Sequence, residues 1–410
     1  MHVFKSLTRN NLTQLKATDS IPTPFYVVYE ERLRRNLELI ADVSRRSGAK
    51  IIMAFKANAL WRTFHIFREY GVAFTASSLN ELQLGLDYLQ TKAHSYCPAY
   101  TDATIGEFLD GSSHLTFNSV AQWERFHKRV EAHRQVSPGL RVNPQVSVIE
   151  TDIYNPALPG SRFGVTAADL GGRLPHGIEG FHFHALCEST SYDLEKVLTA
   201  FEEQFGEYLP QLKWVNFGGG HLMTRQGYDT DHLVSLIRAF RGRHPNLEVI
   251  LEPGSAFTWR TGDLITSVVD VVENQGIATG ILDVSFACHM PDTLEMPYKP
   301  IISEALPDEE ALPDGEEGAS RFPLPASGAG YRYRLGGNSC LSGDFIADWR
   351  FPSPLKPGQR LTLEDMNHYT TVKTNMFNGI AHPDIILVDL RGEPHLLRHF
   401  TYEDYRDRMS

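Results

Sequence analysis

Lys56 ends an apolar run in the stretch "KIIMAFKANA" (residues 50–59), where the chain would leave a buried strand. Lysine is seldom buried, so a solvated lysine at a strand end is one interpretation. A lysine in a partly dry pocket loses its proton more readily and then acts as a nucleophile. The chemistry that this residue type offers is covalent attachment to a carbonyl group.

Other polar residues end other apolar runs in the same half of the chain. Arg141 and Asn143 end "GLRVN", and Glu252 follows "VIL" in "VILEPGSAF". His182 and His184 alternate in "GFHFHALCES", so a strand would point both to the same side. If these runs are parallel strands of one barrel, their ends meet at one rim. Several polar residues clustered on one rim are difficult to explain as ordinary solvent-exposed surface residues.

Glycines follow two of these runs and could accommodate a phosphate. Gly218, Gly219 and Gly220 end "WVNFGGG", and Gly254 lies in "EPGS". Backbone N–H groups without side chains can approach a phosphate closely, although a plain tight turn is the alternative. Glu252 could hold a protonated pyridine nitrogen, ligate a metal or pair with an arginine.

A nucleophilic lysine, a phosphate turn and a carboxylate on one rim favour pyridoxal 5'-phosphate (PLP) as the cofactor. A histidine of the HxH run, His184, would then lie flat against the cofactor ring. The alternative is a metal bound by His182, His184 and Glu252. One face of one strand rarely supplies a complete zinc shell, so we predict no metal.

Eight apolar runs alternate with amphipathic stretches between residues 50 and 254. This alternation predicts a closed (β/α)8 TIM barrel. A doubly wound sheet is the competing architecture, but no GxGxxG turn follows the first strand. The eight runs are "IIMAF", "VAFTA", "SYCPA", "LTFN", "GLRVN", "GFHFH", "WVNFGG" and "VILEPG".

The sequence pattern changes after residue 260. Four segments there are rich in β-forming residues: "DLITSVVDVVEN", "GILDVSF", "YRYRLGG" and "QRLTLEDM". We predict a PLP-binding barrel at residues 26–262 and a mainly antiparallel β domain formed by residues 1–25 and 263–410. Residues 303–330 are acidic and rich in Pro, Gly and Ala, which predicts a flexible surface insertion.

The composition narrows the partners and the location. The 410 residues carry a formal charge of −11 without a basic block, so neither nucleic acid nor a membrane surface is an expected partner, and a cationic small molecule is compatible. The four cysteines, Cys97, Cys187, Cys288 and Cys340, form no CxxC pair. Neither a signal peptide nor an apolar run of membrane-spanning length is seen. We therefore expect a cytoplasmic protein.

The motifs together resemble the fold-type III PLP decarboxylases, the alanine racemase-like group that includes ornithine and diaminopimelate decarboxylases. The strand-end lysine, HxH strand, GGG turn, EPG turn, "CLSGD" loop and "YT…FNG" segment occur in that family's order. Within the group, "GFHFHALCES", "LKWVNFGGGHLMTR", "DVSFACHMPDTLEMPY" and "YRLGGNSCLSGD" resemble the carboxynorspermidine/carboxyspermidine decarboxylases.

The resemblance implies roles for individual residues. Lys56 would bind the cofactor aldehyde, His184 would stack on the ring, and Glu252 would hold the ring nitrogen. Cys340 would protonate the α-carbon in the active site of a partner subunit, which implies a homodimer. The phosphate would be bound by Gly218, Gly219, Gly220, Gly254 and Tyr369.

Departures from the sister enzymes bear on the substrate. Ser255 follows EPG where ornithine and diaminopimelate decarboxylases usually have arginine, which argues against a distal carboxylate on the substrate. Asp283, Asp292 and Asp344 could instead pair with polyamine ammonium groups. The expected activity is decarboxylation of carboxynorspermidine or carboxyspermidine in polyamine biosynthesis. The alternatives are a diaminopimelate decarboxylase, an amino-acid racemase and a non-catalytic PLP-binding protein.

Overall fold

The chain divides into two compact units in the computed structural model, which describes residues 18–149, 155–295, 298–306 and 328–410. Of the described residues, those within 35–257 form the barrel unit, and those within 18–34 and 258–410 form the sheet unit. Of the predicted acidic insertion at 303–330, residues 307–327 lie outside the described residues.

The strands are numbered in chain order. They are β1 Phe25–Tyr29, β2 Lys50–Ile51, β3 Met53–Ala54, β4 Phe74–Ala76, β5 Ala93–Tyr96, β6 Ser112–Phe117, β7 Ser137–Arg141, β8 Gly180–His182, β9 Trp214–Asn216, β10 Glu248–Leu251, β11 Gly262–Asn274, β12 Ile277–Leu282, β13 Tyr331–Gly336, β14 Phe345–Phe351, β15 Arg360–Leu363, β16 Asp384–Val388 and β17 Pro394–Arg398.

The barrel unit is a parallel sheet that closes on itself. From β3 to β10, each strand pairs in parallel with the next strand along the chain. Strand β2 pairs with β10, and only Ile52 separates β2 from β3, so these two short strands act as one. The sheet therefore has eight strand positions, and the predicted (β/α)8 barrel is confirmed.

Helices connect the barrel strands, and several begin at residues that suit an N-cap. The side chains of Ser78, Ser119 and Asp229 each accept a backbone N–H three residues further along. The described residues form the α-helices Glu30–Ser47, Phe64–Glu69, Leu79–Tyr88, Ile105–Gly111, Val120–Glu131, Ala167–Leu170, Ser191–Phe205, Thr230–Arg243, Ser255–Thr258, Phe286–His289, Asp292–Glu295, Thr370–Lys373 and Tyr402–Met409. Short 3₁₀ helices occupy Trp61–Thr63, Gly206–Gln211 and Phe377–Gly379. Within the described ranges, no helix is both long enough and apolar enough to span a bilayer.

Trp214 fills the barrel interior near the start of β9. Two neighbouring strands leave room for its indole, since a Cβ at Gly139 or Gly180 would lie 2.3 Å or 2.0 Å from the ring. The indole N–H donates to Ser137 Oγ at 2.8 Å. Because Trp214 begins β9 and Asn216 ends it, the indole closes the interior on the side of the strand starts. The strand ends remain for polar residues.

The sheet unit has the strand order β14-β13-β12-β11-β1-β16-β17, and β15 also pairs with β11. Its strand pairs are antiparallel except β12–β13 and β1–β16, so the predicted mainly antiparallel domain is present. Its largest core includes the buried side chains of Leu264, Leu282, Leu335, Phe351 and Leu363.

The first strand differs from the sequence-based division of the chain, which assigned residues 26–262 to the barrel. All five side chains of β1, Phe25–Tyr29, are buried, and the strand pairs with β11 and β16 of the sheet unit. These partners lie more than 200 residues away in the sequence. A local apolar pattern identifies such a strand but does not identify its partners.

Candidate active site

The ends of the barrel strands bring most of the predicted site residues of this unit to one rim. Lys56 follows β3 by two residues, and Arg141 is the last residue of β7. His182 ends β8, with His184 two residues further, and Glu252 directly follows β10. Because these strands are parallel neighbours in a closed sheet, their carboxyl ends share one side of the barrel.

Glu252 is a buried carboxylate with a defined set of neighbours. Its Oε1 accepts a hydrogen bond from Asn216 Nδ2 at 2.6 Å, and its Oε2 lies 3.7 Å from His182 Nε2. Burial raises the pKa of Glu252 to about 7, although the Asn216 hydrogen bond and the charges of Lys56 and Arg141 oppose this shift. The pKa of a carboxylate in this setting is sensitive to any nearby cation or hydrogen-bond donor.

The raised pKa of Glu252 predicts a pH-dependent stability of the cofactor-free protein. An unfolded glutamate titrates near pH 4.3, whereas folded Glu252 titrates at about 7, so the folded state binds this proton more tightly. The stability contributed by the group is complete below pH ~4 and is lost as the pH rises through ~7. We expect Glu252→Gln to remove that loss, which is roughly 2–3 kcal/mol between pH 5 and pH 8.

Urea denaturation of cofactor-free wild type and variant at the two pH values measures this effect. Glu248→Gln is the matched control, because Glu248 is an exposed carboxylate on the same strand. The control is expected to follow the wild type. Identical pH dependence of wild type and Glu252→Gln would contradict the prediction.

Lys56 is exposed at the barrel mouth, although nearby protein atoms partly desolvate its ammonium group. This desolvation, followed by repulsion from Arg141, lowers the pKa of Lys56 below its usual value. The neutral, nucleophilic amine is therefore more accessible than in a free lysine.

Arg141 is held by aromatic rings. Its guanidinium carbon lies 4.7 Å from the centre of the Tyr96 ring and 4.4 Å from that of Phe163. One amino group donates to the backbone oxygen of His184 at 3.4 Å. Arg141 thus supplies a buried positive charge near Lys56 and Glu252, whereas Asn216 donates a direct hydrogen bond to Glu252.

His184 presents a neutral imidazole at the rim. Its Nδ1 accepts the Gly219 N–H at 2.7 Å, which places the proton of the neutral ring on Nε2. Burial, followed by the charge of Lys56, lowers the pKa of His184 well below its usual value. The same contact leaves only Nε2 of His184 for a metal shared with His182 and Glu252. A flat neutral ring fits stacking on a cofactor better.

The glycine turn after β9 is required by close approaches within the protein. Gly218 and Gly220 have φ of +71° and +88°, and a Cβ at Gly219 would lie 2.6 Å from the Glu252 backbone oxygen. The N–H groups of Gly218 and Gly219 donate to Asn216 Oδ1 and His184 Nδ1. Among the described residues, the Gly220 N–H has no protein acceptor, so it is the member of the turn best placed to meet a phosphate.

Gly254 and Ser255 follow the neighbouring strand. A Cβ at Gly254 would lie 2.5 Å from Ala57 Cβ, so this glycine lets the segment after β10 pack against the segment that carries Lys56. Ser255 is buried and begins the short helix Ser255–Thr258. Their roles toward phosphate and substrate stay predictions.

The sheet unit carries the other predicted residues. Cys340 is exposed on the loop between β13 and β14, and its N–H donates to Asn378 Oδ1 at 2.8 Å. Asp344 is buried, and its carboxylate accepts the Ala287 N–H together with the N–H and hydroxyl of Ser339. Asp344 therefore shapes the loop that bears Cys340. Its predicted contact with substrate remains a prediction.

Asp292 and Asp283 differ in the number of partners that they already have. Asp292 is buried; its Oδ2 accepts the Tyr298 hydroxyl at 2.9 Å, and its Oδ1 has no partner among the described residues. Burial raises the pKa of Asp292. Both oxygens of Asp283 accept hydrogen bonds, from Thr266, Ser267 and Thr23. Asp292 is thus the better candidate for an additional cationic group.

Tyr369 lies directly before the helix Thr370–Lys373 with a φ of +52°. A non-glycine residue in this left-handed region is uncommon and is frequently found at functional sites. Thr370 Oγ1 donates to Asp292 at 3.4 Å, so the segment containing Tyr369 adjoins that carboxylate.

Sequence reasoning missed two residues that organise these groups, Asn216 and Asn378. Asn216 is a buried polar residue inside the apolar run "WVNF", and it has the same strand parity as Gly218. A polar residue at such a position was the sequence signal from which a role for Asn216 could have been predicted. Asn378 has a φ of +57° in "FNG", and no sequence feature shows that its side chain meets the Cys340 loop.

Comparisons with known proteins identify the family. A family model described as "Pyridoxal-dependent decarboxylase, C-terminal sheet domain" matches residues 25–367. A carboxyaminopropylagmatine decarboxylase from Synechocystis is 44% identical over 98% of each chain. A carboxynorspermidine/carboxyspermidine decarboxylase from Campylobacter jejuni is 39% identical and aligns over 94% of this chain and 98% of its own length.

Solved structures show the same fold. The crystal structure of carboxynorspermidine decarboxylase complexed with norspermidine, from Campylobacter jejuni, has a TM-score of 0.83 at 39% identity and covers 95% of this chain and 100% of its own. Diaminopimelate decarboxylase from Helicobacter pylori, at 18% identity and a TM-score of 0.77 over 96% of this chain and 99% of its own, supports the fold alone. Because the family match and the relatives extend across both units, the chain belongs to the pyridoxal-dependent decarboxylases.

Proposed function

We propose that this decarboxylase acts on a carboxylated polyamine, either carboxynorspermidine or carboxyspermidine, in polyamine biosynthesis. The observation that carries the proposal is the near full-length identity of 39% and 34% to two carboxynorspermidine/carboxyspermidine decarboxylases. The structural relative at 39% identity was solved with norspermidine, the product expected of such a reaction.

The residues of the rim fit pyridoxal phosphate. A lysine of lowered pKa, Lys56, would bind its aldehyde; a flat neutral imidazole, His184, would stack on its ring; and the Glu252 carboxylate would meet its ring nitrogen. Gly220, Gly254 and Tyr369 would contact the phosphate. When bound, the cofactor serves as the electron sink that accepts the electron pair of the breaking Cα–carboxylate bond.

The protein's own contribution is orientation and proton transfer. Glu252, kept ionised, would hold a proton on the ring nitrogen and so keep the ring electron-withdrawing. After carbon dioxide has left, the Cys340 thiol would give its proton to the α-carbon in place of the lost carboxylate. The Lys56 amine would then release the product amine and retain the cofactor. Cys340 is exposed in the single chain, which is compatible with its insertion into a site of the neighbouring subunit of a homodimer.

The amine-binding part of the site would come from acidic residues. Asp292 is the strongest candidate, because one oxygen of this buried carboxylate has no partner among the described residues. Ser255 replaces the arginine that sister enzymes usually have after EPG, which favours a cationic over a carboxylate end. We also propose a cytoplasmic location, since no disulfide bond joins Cys97, Cys187, Cys288 and Cys340, all of which lie in the described residues.

A second candidate substrate is carboxyaminopropylagmatine. The observation that favours it is the 44% identity to the Synechocystis enzyme. Agmatine carries a guanidinium group where a polyamine has an ammonium group. A planar guanidinium is bound best by two convergent hydrogen-bond acceptors. The two candidates share the decarboxylated carbon and differ at the distal end.

Carbon dioxide release from four compounds tests the proposal. Holoenzyme is given carboxynorspermidine, carboxyspermidine, carboxyaminopropylagmatine and diaminopimelate in parallel. A kcat/KM that is highest for either of the first two supports the proposal. Highest activity on the third selects the second candidate, and highest activity on diaminopimelate rejects both. Racemisation without carbon dioxide, or bound cofactor without turnover, also rejects a decarboxylase of this specificity.

A further inference from the structure

We propose that Asn216 is a positioning residue that holds Glu252 as an ionised hydrogen-bond acceptor for the ring nitrogen of the cofactor. The inference rests on the proposed function, because it concerns the same site. Asn216 is buried at the end of β9, adjacent to β10 and the Glu252 that follows it. Its role is distinct from contact with the cofactor itself.

Three hydrogen bonds connect Asn216, Gly218 and Glu252 in a closed ring. Asn216 Nδ2 donates to Glu252 Oε1 at 2.6 Å, and the Glu252 N–H donates to the Gly218 oxygen at 2.7 Å. The Gly218 N–H donates to Asn216 Oδ1 at 2.8 Å. The carboxylate is therefore fixed through both its backbone and its side chain to the glycine turn.

The ring requires a carboxamide at position 216. Its oxygen faces a donor, the Gly218 N–H, so its NH₂ group must face Glu252. Aspartate in its ionised form would place an acceptor against an acceptor, and alanine would leave both Glu252 and Gly218 without this partner. Because the amide orientation is fixed by Gly218, Asn216 acts toward Glu252 only as a donor.

A donor at this point favours the ionised form of Glu252. Lys56 and Arg141 are the cations that act on this carboxylate in the same sense, and the Thr75 hydroxyl adds a further hydrogen bond. His182, whose Nε2 lies 3.7 Å from Oε2, is held neutral by its burial, because burial lowers its pKa well below its usual value. Burial of Glu252 has the opposite effect, because it favours the protonated form of the carboxylate.

The balance between these donors and cations and the burial of Glu252 decides whether one proton resides on the cofactor ring nitrogen or on the Glu252 carboxylate. With Glu252 ionised, a proton on the cofactor ring nitrogen is held by the hydrogen bond to the carboxylate. If the Asn216 donor is lost, the carboxylate becomes more basic, and the proton moves from the ring nitrogen to the Glu252 oxygen. The ring then loses its positive charge and withdraws electrons less strongly.

The same turn also positions the stacking residue. Gly219, next to Gly218, donates its N–H to His184 Nδ1 at 2.7 Å. Asn216 holds Gly218 through the Oδ1 contact. The Asn216 side chain therefore supports Glu252 and also fixes Gly218, the residue next to the glycine that binds His184.

Holoenzyme carrying cofactor labelled with ¹⁵N in the pyridine ring provides the test. The ¹⁵N chemical shift, followed against pH, reports protonation of the ring nitrogen without reference to turnover. We expect Asn216→Ala to lower the pH at which that nitrogen loses its proton by about one unit or more, the size of a hydrogen bond to a charged group. Asn36→Asp is the control, since Asn36 is buried in the same unit and donates to the Phe257 oxygen.

Asn216→Asp has nearly the size of the native residue and gives a second, sharper readout. A protonated aspartate can donate to Glu252, so this variant is expected to match the wild type at low pH and Asn216→Ala at high pH. An unchanged ¹⁵N titration in Asn216→Ala, or a wild-type titration at every pH in Asn216→Asp, overturns the proposal. Absence of bound cofactor in the wild type would instead overturn the proposed function, and the inference with it.

Discussion

Replacing Lys56 with alanine is expected to abolish covalent retention of pyridoxal phosphate and to lower turnover by ~10²- to 10⁴-fold, the range typical for loss of a positioned group that transfers protons. The physical reason is the position of the amine, which protein atoms desolvate and which lies within the influence of Glu252 and Arg141. Borohydride reduction followed by mass spectrometry of the native holoenzyme is expected to find pyridoxyl on the peptide containing Lys56.

Lys50→Ala is the matched control, because Lys50 is a lysine of the same strand position that lies on the opposite side of the barrel, at the strand start, where its Nζ lies 3.0 Å from His94 Nε2. Lys50 begins β2, six residues before Lys56, and its pKa is also lowered by burial. We expect this variant to keep the covalent cofactor. Pyridoxyl on another residue, or full turnover by Lys56→Ala, would remove the basis of the proposed chemistry.

The barrel was predictable because each of its strands is a short apolar run followed by a connecting segment. The eight predicted runs coincide with the eight strand positions, from "IIMAF" at β2–β3 to "VILEPG" at β10. The break at Ile52 was not predictable, because it reflects pairing of β2 with β10 and of β3 with β4. Local hydrophobicity identifies strands, whereas pairing depends on residues far apart in the sequence.

The same limit explains what was missed in the sheet unit. The runs at β11, β12, β13 and β15 stood out because they are rich in β-branched and aromatic residues. Strands β14, β16 and β17 were not identified. Strand β16 pairs with β1 across more than 350 residues, and no sequence pattern over a few residues contains that information.

The candidate site was predictable as a set of residue types and only in part as a geometry. Strand-end positions placed Lys56, His184 and Glu252 on one rim. The sequence did not show that the N–H groups of Gly218 and Gly219 serve Asn216 and His184. Such hydrogen bonds depend on backbone angles and amide orientation, which residue identity leaves open. Glycine at these positions is explained first by close backbone approach.

Replacing Cys340 with alanine is expected to lower carbon dioxide-coupled product formation by ~10²- to 10⁴-fold, because the proton donor to the α-carbon is removed. Cys340→Ser is expected to recover little, since a hydroxyl is a far weaker acid than a thiol. Leu341→Ala, at the exposed next residue of the same loop, is the matched control and is expected to retain near wild-type turnover. Steady-state assays with the preferred substrate measure all three variants.

Mixing of inactive variants tests whether Cys340 acts in the partner's site. If the two subunits exchange, a 1:1 mixture of Lys56→Ala and Cys340→Ala contains heterodimers in which one site has both native residues. About one quarter of wild-type turnover is then expected for a twofold-symmetric dimer with shared sites. If Cys340 served Lys56 of its own chain, the mixture would stay inactive. Recovery would place the thiol and the amine in one site contributed by two chains, and inactivity despite demonstrated subunit exchange would contradict the proposed dimer chemistry.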